Sequence, residues 1–151
     1  MTLSTTTRDL LAFLSRALIA LLFLPEGIGK ITNFAGTVQY ITANHVPLPE
    51  VAAVIGIVVE VGLVSLLLVG YQTRWVALAI IVFIIVITFA FHPYWSIAAA
   101  AQAYDQKLNF YRNFAIAGGL CSILAWGPGG WSLDRWRGAA SPARPDAAYG
   151  S

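Results

Sequence analysis

Cysteine, histidine, methionine and charge are all scarce in this 151-residue chain, and each scarcity removes a class of protein. Cys121 is the only cysteine, so no intramolecular disulfide and no CxxC pair can form, which excludes the small four-helix membrane proteins that pass electrons through paired thiols. His45 and His92 are the only histidines and Met1 the only methionine. One histidine falls in a connection and the other at the end of an apolar segment, so no facing pair of axial haem ligands is expected and no metal site is predicted. Charged residues make up 11% of the chain, against about 25% in soluble domains, while hydrophobic residues reach 58%. That balance excludes a disordered chain, a nucleic-acid-binding protein and an ordinary water-soluble enzyme. The net charge of +2 points to no anionic partner. No phosphate loop and no nucleophile elbow occurs.

What remains is long apolar runs, with a mean hydropathy of +0.73. Trp75 to Phe91 is seventeen residues without a charge, and Val51 to Val69 is nineteen with one, Glu60. Both have the length of a membrane-spanning helix, and Gly70 stands where the second would end. Leu10 to Leu24 is apolar except for Ser15 and Arg16 and runs on through Pro25 and Glu26 toward Lys30. Arg16 inside it, and the lack of a small-residue cleavage site after Leu24, argue against a signal peptide. Phe114 to Trp126 is a fourth apolar run, stopped by Gly127-Pro128-Gly129-Gly130. Four spans of about 20 residues each leave no room for a second domain.

These segments predict an all-α, integral membrane four-helix bundle over residues 1–134, with spans near 9–31, 49–70, 74–92 and 108–127. Short interfacial helices are expected in the outer connections, within Ile31 to Leu48 and within His92 to Lys107. Residues 135–151, rich in Gly, Ala, Ser and Pro, are expected to form a flexible cytoplasmic tail. Arg8, Arg16, Arg74, Arg135, Arg137 and Arg144 fall on the side of the termini and Lys30, Lys107 and Arg112 on the other, so the positive-inside rule puts both termini in the cytoplasm.

An ionisable group at the centre of a span costs about 2.5–3.5 kcal/mol or more and requires a partner or a purpose. Arg16, Ala20, Phe23, Gly27 and Lys30 form one helical stripe, and Ala53, Gly56 and Glu60 another. Small residues in both allow close helix approach. A buried polar pair between Arg16 and Glu60 is therefore expected; in the alternative, Arg16 snorkels to the interface and Glu60 is protonated. A second group, Glu26, Lys30, His92 and Arg112, gathers at the outer boundary with Lys107, Thr88 and the aromatic rings of Tyr40, Tyr94, Trp95 and Tyr111. It reads either as a ligand-binding pocket for a quinone-like amphipath or as a solvated belt of helix ends. Cys121 is expected to be a small packing residue beside Gly118, Gly119 and Ser122.

In order and spacing the motifs resemble DoxX-like membrane proteins. The first helix carries an Arg and ends Gly27-Ile28-Gly29-Lys30; Val46-Pro47-Leu48-Pro49 enters a second helix with mid-span Glu60, then Gly70, Thr73 and Arg74. His92 closes the third, and the fourth reads Asn113-Phe114-Ala115-Ile116-Ala117-Gly118-Gly119, followed by Gly127, Gly129 and Ser132-Leu133-Asp134. The resemblance implies a four-helix bundle in the bacterial inner membrane. It also implies a link to membrane oxidoreductase assemblies, either thiosulfate-to-quinone electron transfer or anchoring of soluble sulfurtransferase and superoxide-detoxifying enzymes. The expected role is a quinone-associated or accessory subunit of such a complex, with the lipid bilayer, redox-enzyme proteins and further copies of itself as partners. No self-contained catalytic centre is evident, so any cofactor beyond a bound quinone would belong to a partner. A small transporter or proton-conducting bundle working through Glu60, and a purely structural anchor, are the alternatives.

Overall fold

Ser4 opens the first helix by accepting the Thr7 N–H at 3.2 Å through its hydroxyl, and α1 (Thr5–Thr32) then runs 28 residues. At 1.5 Å per residue that is about 42 Å, enough to cross a hydrocarbon core of about 30 Å, and Pro25 does not end it. The computed structural model describes residues 3–138; of the predicted tail, 139–151 lie outside the described residues. Asn33 caps two helices at once. Its N–H bonds Gly29 O at 3.0 Å and its Oδ1 accepts the Gly36 N–H at 3.2 Å, so α2 (Phe34–Ala43) follows almost without a linker. Only Ile41 of α2 is buried, as expected of a short helix lying along the bundle.

Pro49 occupies the first position of α3 (Pro49–Ile57), where its missing N–H has no cost. The helix continues through a π-helical stretch, Val58–Leu63, into α4 (Val64–Val69). Gly70 ends it in the left-handed region at φ 73, and a Cβ there would stand 2.5 Å from Ser132 Cβ. Next come α5 (Thr73–Phe91), a 3-10 turn at Tyr94–Ser96, α6 (Ala100–Trp126) and the four-residue α7 (Leu133–Trp136).

Helix α1 packs against the whole second span, α4 and the π stretch pack against α5, and α5 packs along α6, which touches α1 again. The result is the expected four-helix bundle. Its core contains Phe23, Val59, Val64, Leu67, Ile80, Ile84 and Leu120. The outside is equally oily: Leu18 is 65% exposed, Leu21 71% and Val86 62%. A surface of that kind is a lipid-facing one. Three segments, Thr5–Thr32, Pro49–Val69 and Thr73–Ser96, are long and apolar enough to cross a membrane.

The fourth helix departs from expectation. It begins at Ala100 rather than near 108, because Ala, Gln, Lys and Leu favour helix and no Gly or Pro interrupts the chain between Ala98 and Gly118. Its 27 residues have the length of a span, while Asp105, Lys107 and Arg112 leave its first half less apolar than the other three. Ala117, Leu120 and Ile123 form its buried stripe, which turns Gly118, Gly119 and Cys121 outward. Cys121 is therefore an exposed residue, not the packing residue expected. Of the residues expected in the tail, Arg135 and Trp136 are helical in α7.

Candidate functional site

Both deep charges are buried as expected, Arg16 at 0% and Glu60 at 4% exposure, and so is the stripe Ala20, Phe23 and Gly27 with its partner Ala53 and Gly56. The pairing between them is different. Arg16 donates to main-chain carbonyls: Nη1 to Leu68 O at 2.6 Å and Leu67 O at 3.5 Å, Nη2 to Trp131 O at 2.6 Å, and Nε to Ala12 O at 3.2 Å. Glu60 instead accepts Lys30 Nζ at 2.6 Å.

Helix register explains the correction. The helices run antiparallel, and Gly27 is the residue of α1 level with Glu60, since a Cβ on Gly27 would lie 3.0 Å from Glu60 Cβ. Arg16 is eleven residues earlier, about 16 Å along the axis, which exceeds the reach of an arginine. Lys30 stands opposite Gly56, and side chains on a helix lean toward its N-terminus, so the Lys30 stem passes over Gly56 and descends to Glu60.

The two charges therefore belong to separate sites. At Arg16, the guanidinium fork binds carbonyls in the last turn of the second span, the negative end of its helix dipole, and ties them to the Gly127–Trp131 segment. Neighbouring groups complete this clasp. Asp134 accepts from Gln72 N at 2.7 Å, Thr73 N at 2.8 Å and Thr73 Oγ1 at 2.7 Å, capping α5, and Asp9 accepts from Gly130 N at 2.6 Å. Asp9 is a site residue not among those predicted, and Asp134, predicted only as part of a motif, is a capping residue. The signal available was a lone Asp after a Gly-rich turn, which is helix-cap chemistry.

At Lys30 and Glu60 the setting is asymmetric. The Lys30 side chain is 27% exposed and that of Glu60 only 6%, so the lysine is partly accessible while the carboxylate is enclosed. Glu60 lies in the π-helical stretch, whose wider turn lets the adjacent Val59 and Glu60 both face inward. Gly27 makes this approach possible, since any Cβ would meet Val61 Cγ2 at 2.6 Å, whereas Gly29 has open space around it. The Gly-x-x-Lys pattern thus places a contact glycine one turn before the lysine that uses the contact. Gly27→Val is expected to lower stability by about 1–3 kcal/mol through overpacking, with Gly29→Val close to neutral, when unfolding midpoints are compared in one detergent. Equal midpoints for the two variants would contradict the packing assigned to Gly27.

His92 is half-buried and its Nδ1 hydrogen-bonds Gln106 Oε1 at 2.5 Å, a pairing that the folded bundle brings together. Glu26 and Arg112 are exposed. Thr88, buried, accepts from Asn113 Nδ2 at 3.0 Å and donates to Ile84 O at 2.6 Å, which joins α5 to α6. Phe89, Tyr94, Trp95, Phe110 and Tyr111 meet edge-on or tilted at this end, and Tyr40 stacks on Phe91 with ring centroids 5.8 Å apart. Lys30 with Glu60 is the one ion pair among the described residues.

A family model described as DoxX matches residues 11–93, which contain both Arg16 and the Lys30–Glu60 pair. The chain is 34% identical over 128 residues to "Inner membrane protein YphA" of Escherichia coli (strain K12), covering 85% of this chain and 91% of that protein. It is 35% identical over 130 residues to "Inner membrane protein YqjF" of the same organism, covering 84% and 92%. A shorter likeness, 30% over 73 residues, links it to "Surfeit locus protein 4 homolog" of Drosophila melanogaster, covering 48% of this chain and 27% of that one. No solved structure matches significantly. Near full-length likeness to two proteins, a family match over more than half the chain and a lipid-facing helical bundle agree, and the chain belongs to the DoxX family.

Proposed function

We propose that this chain is a bacterial inner-membrane protein with both termini in the cytoplasm, serving as a quinone-associated accessory subunit of a membrane oxidoreductase complex. The observation that carries the reading is the Lys30–Glu60 pair, a partly exposed lysine held by a buried carboxylate within the bundle. Intramembrane charges mark ligand or ion paths, and a charged donor facing an apolar surface suits the carbonyl oxygen of a quinone head. Lys30 would donate to that oxygen, and Glu60 would fix the ammonium. Electrons would come from a partner's redox centre, which leaves binding and orientation to this chain. The membrane assignment draws on the names of the two Escherichia coli relatives, and the orientation on the arginines gathered at the end that holds the termini.

Gentle purification from membranes, followed by identification of bound quinones and proteins, tests this. Quinone recovered with wild-type protein and lost with Lys30→Met, together with a co-purifying redox enzyme, is the expected result. Recovery of bulk lipid alone overturns it, and proton flux through reconstituted vesicles that depends on Glu60 would favour a conducting bundle instead.

A further inference from the structure

The end of the bundle that holds the termini carries an unusual surface. Four of the five tryptophans are there and all are exposed: Trp75 at 73%, Trp126 at 82%, Trp131 at 51% and Trp136 at 86%. Tryptophan at that density marks the level where acyl chains meet headgroups. Between Val69, Trp131, Leu133 and Trp136 lies a groove of about 380 Å³, which starts at the last residue of a span and so opens at the membrane boundary.

Charge on this end is one-sided. Asp9 and Asp134, the acidic residues at this end among the described residues, are occupied by backbone N–H groups of Gly130, Gln72 and Thr73. Arg8, Arg135 and Arg137 are exposed, and among the described residues none of them pairs with an acidic side chain. Arg137 is instead held over the Tyr71 ring, 5.2 Å from its centroid, in the cleft next to the groove. The small net charge of the chain conceals this concentration.

We propose that this surface is a binding site for one anionic phospholipid. An acyl chain lies in the groove against Val69, Leu133 and Trp136, and the phosphate is bound by Arg135 and Arg137. The apolar groove and the cleft that holds Arg137 sit side by side at the depth where such a lipid changes from tail to headgroup, and Arg135 stands next to both in the chain, which a soluble anion or a protein segment would not require. Arginine forks match phosphate oxygens, and the tyrosine face fixes one fork in advance.

Native mass spectrometry of the full-length, delipidated protein tests the site, with dioleoyl phosphatidylglycerol and dioleoyl phosphatidylcholine as probes. Wild type is expected to retain a single phosphatidylglycerol in preference to phosphatidylcholine. Arg135→Gln and Arg137→Gln should each weaken that adduct about fivefold, the effect of one basic residue at a lipid surface. Trp136→Ala should weaken both lipids together, and Lys107→Gln, at the other end, should change neither. All four side chains are exposed, and unfolding midpoints confirm that the variants fold. Equal retention of the two lipids, loss in Lys107→Gln but not in the arginine variants, or displacement of the adduct by millimolar sodium phosphate would each overturn the proposal.

Discussion

Replacing Arg16 with methionine is expected to destabilise the bundle by about 3–5 kcal/mol, the scale for removing one partner of a buried charged network. Methionine fills much of the space but donates nothing, so Leu68 O and Trp131 O each lose a 2.6 Å bond from a fully buried side chain. Arg16→Lys should recover less than half of the loss. One ammonium cannot reach carbonyls on two chain segments as the two arms of a guanidinium do. The loss has a location as well as a size, since the freed segment is Gly127–Trp136. Unfolding in mild detergent, combined with limited proteolysis, reads both. A methionine variant with the wild-type midpoint and an uncut C-terminal segment would show that the clasp does not depend on Arg16.

The second large effect lies at Lys30 and Glu60. Lys30→Met strands a carboxylate of 6% exposure and is expected to cost about 3–5 kcal/mol. Glu60→Met strands an ammonium that is 27% exposed, and Lys30 can turn toward the interface, so about 1–3 kcal/mol is expected. The double variant, Lys30→Met with Glu60→Met, should return close to wild type, because two apolar chains of similar volume replace a pair whose desolvation offsets most of its attraction. A positive coupling energy in this cycle would identify the pair as one unit. Additive losses would mean that the two residues act separately, and the site as drawn would fail.

How much of this was legible in the residues depended on the kind of information needed. Periodicity carried the helices and even their faces: the stripe from Arg16 to Gly27 and the stripe from Ala53 to Glu60 are the buried ones, because lipid-facing and core-facing positions differ in side-chain size as well as polarity. Register was not legible. Whether Arg16 or Lys30 meets Glu60 depends on an axial offset of about 16 Å between antiparallel helices, and no single helix records that offset. The π-helical stretch at Val58–Leu63 was hidden too, since no local propensity in these residues marks it. The clasp was half visible. The Gly-Pro-Gly-Gly run read as a stop, but that the chain beyond it returns to bind Arg16 and cap α5 requires the assembled bundle.

The central claim is that Lys30 and Glu60 form a ligand site and Arg16 a structural one. Binding of a short-chain ubiquinone analogue to the reconstituted Lys30→Met, Glu60→Met double variant tests it most directly, because that variant is expected to keep the fold while losing the donor. The account predicts a wild-type unfolding midpoint with affinity reduced about tenfold or more, the loss of one charge-assisted hydrogen bond. Wild-type affinity in a folded double variant would contradict it.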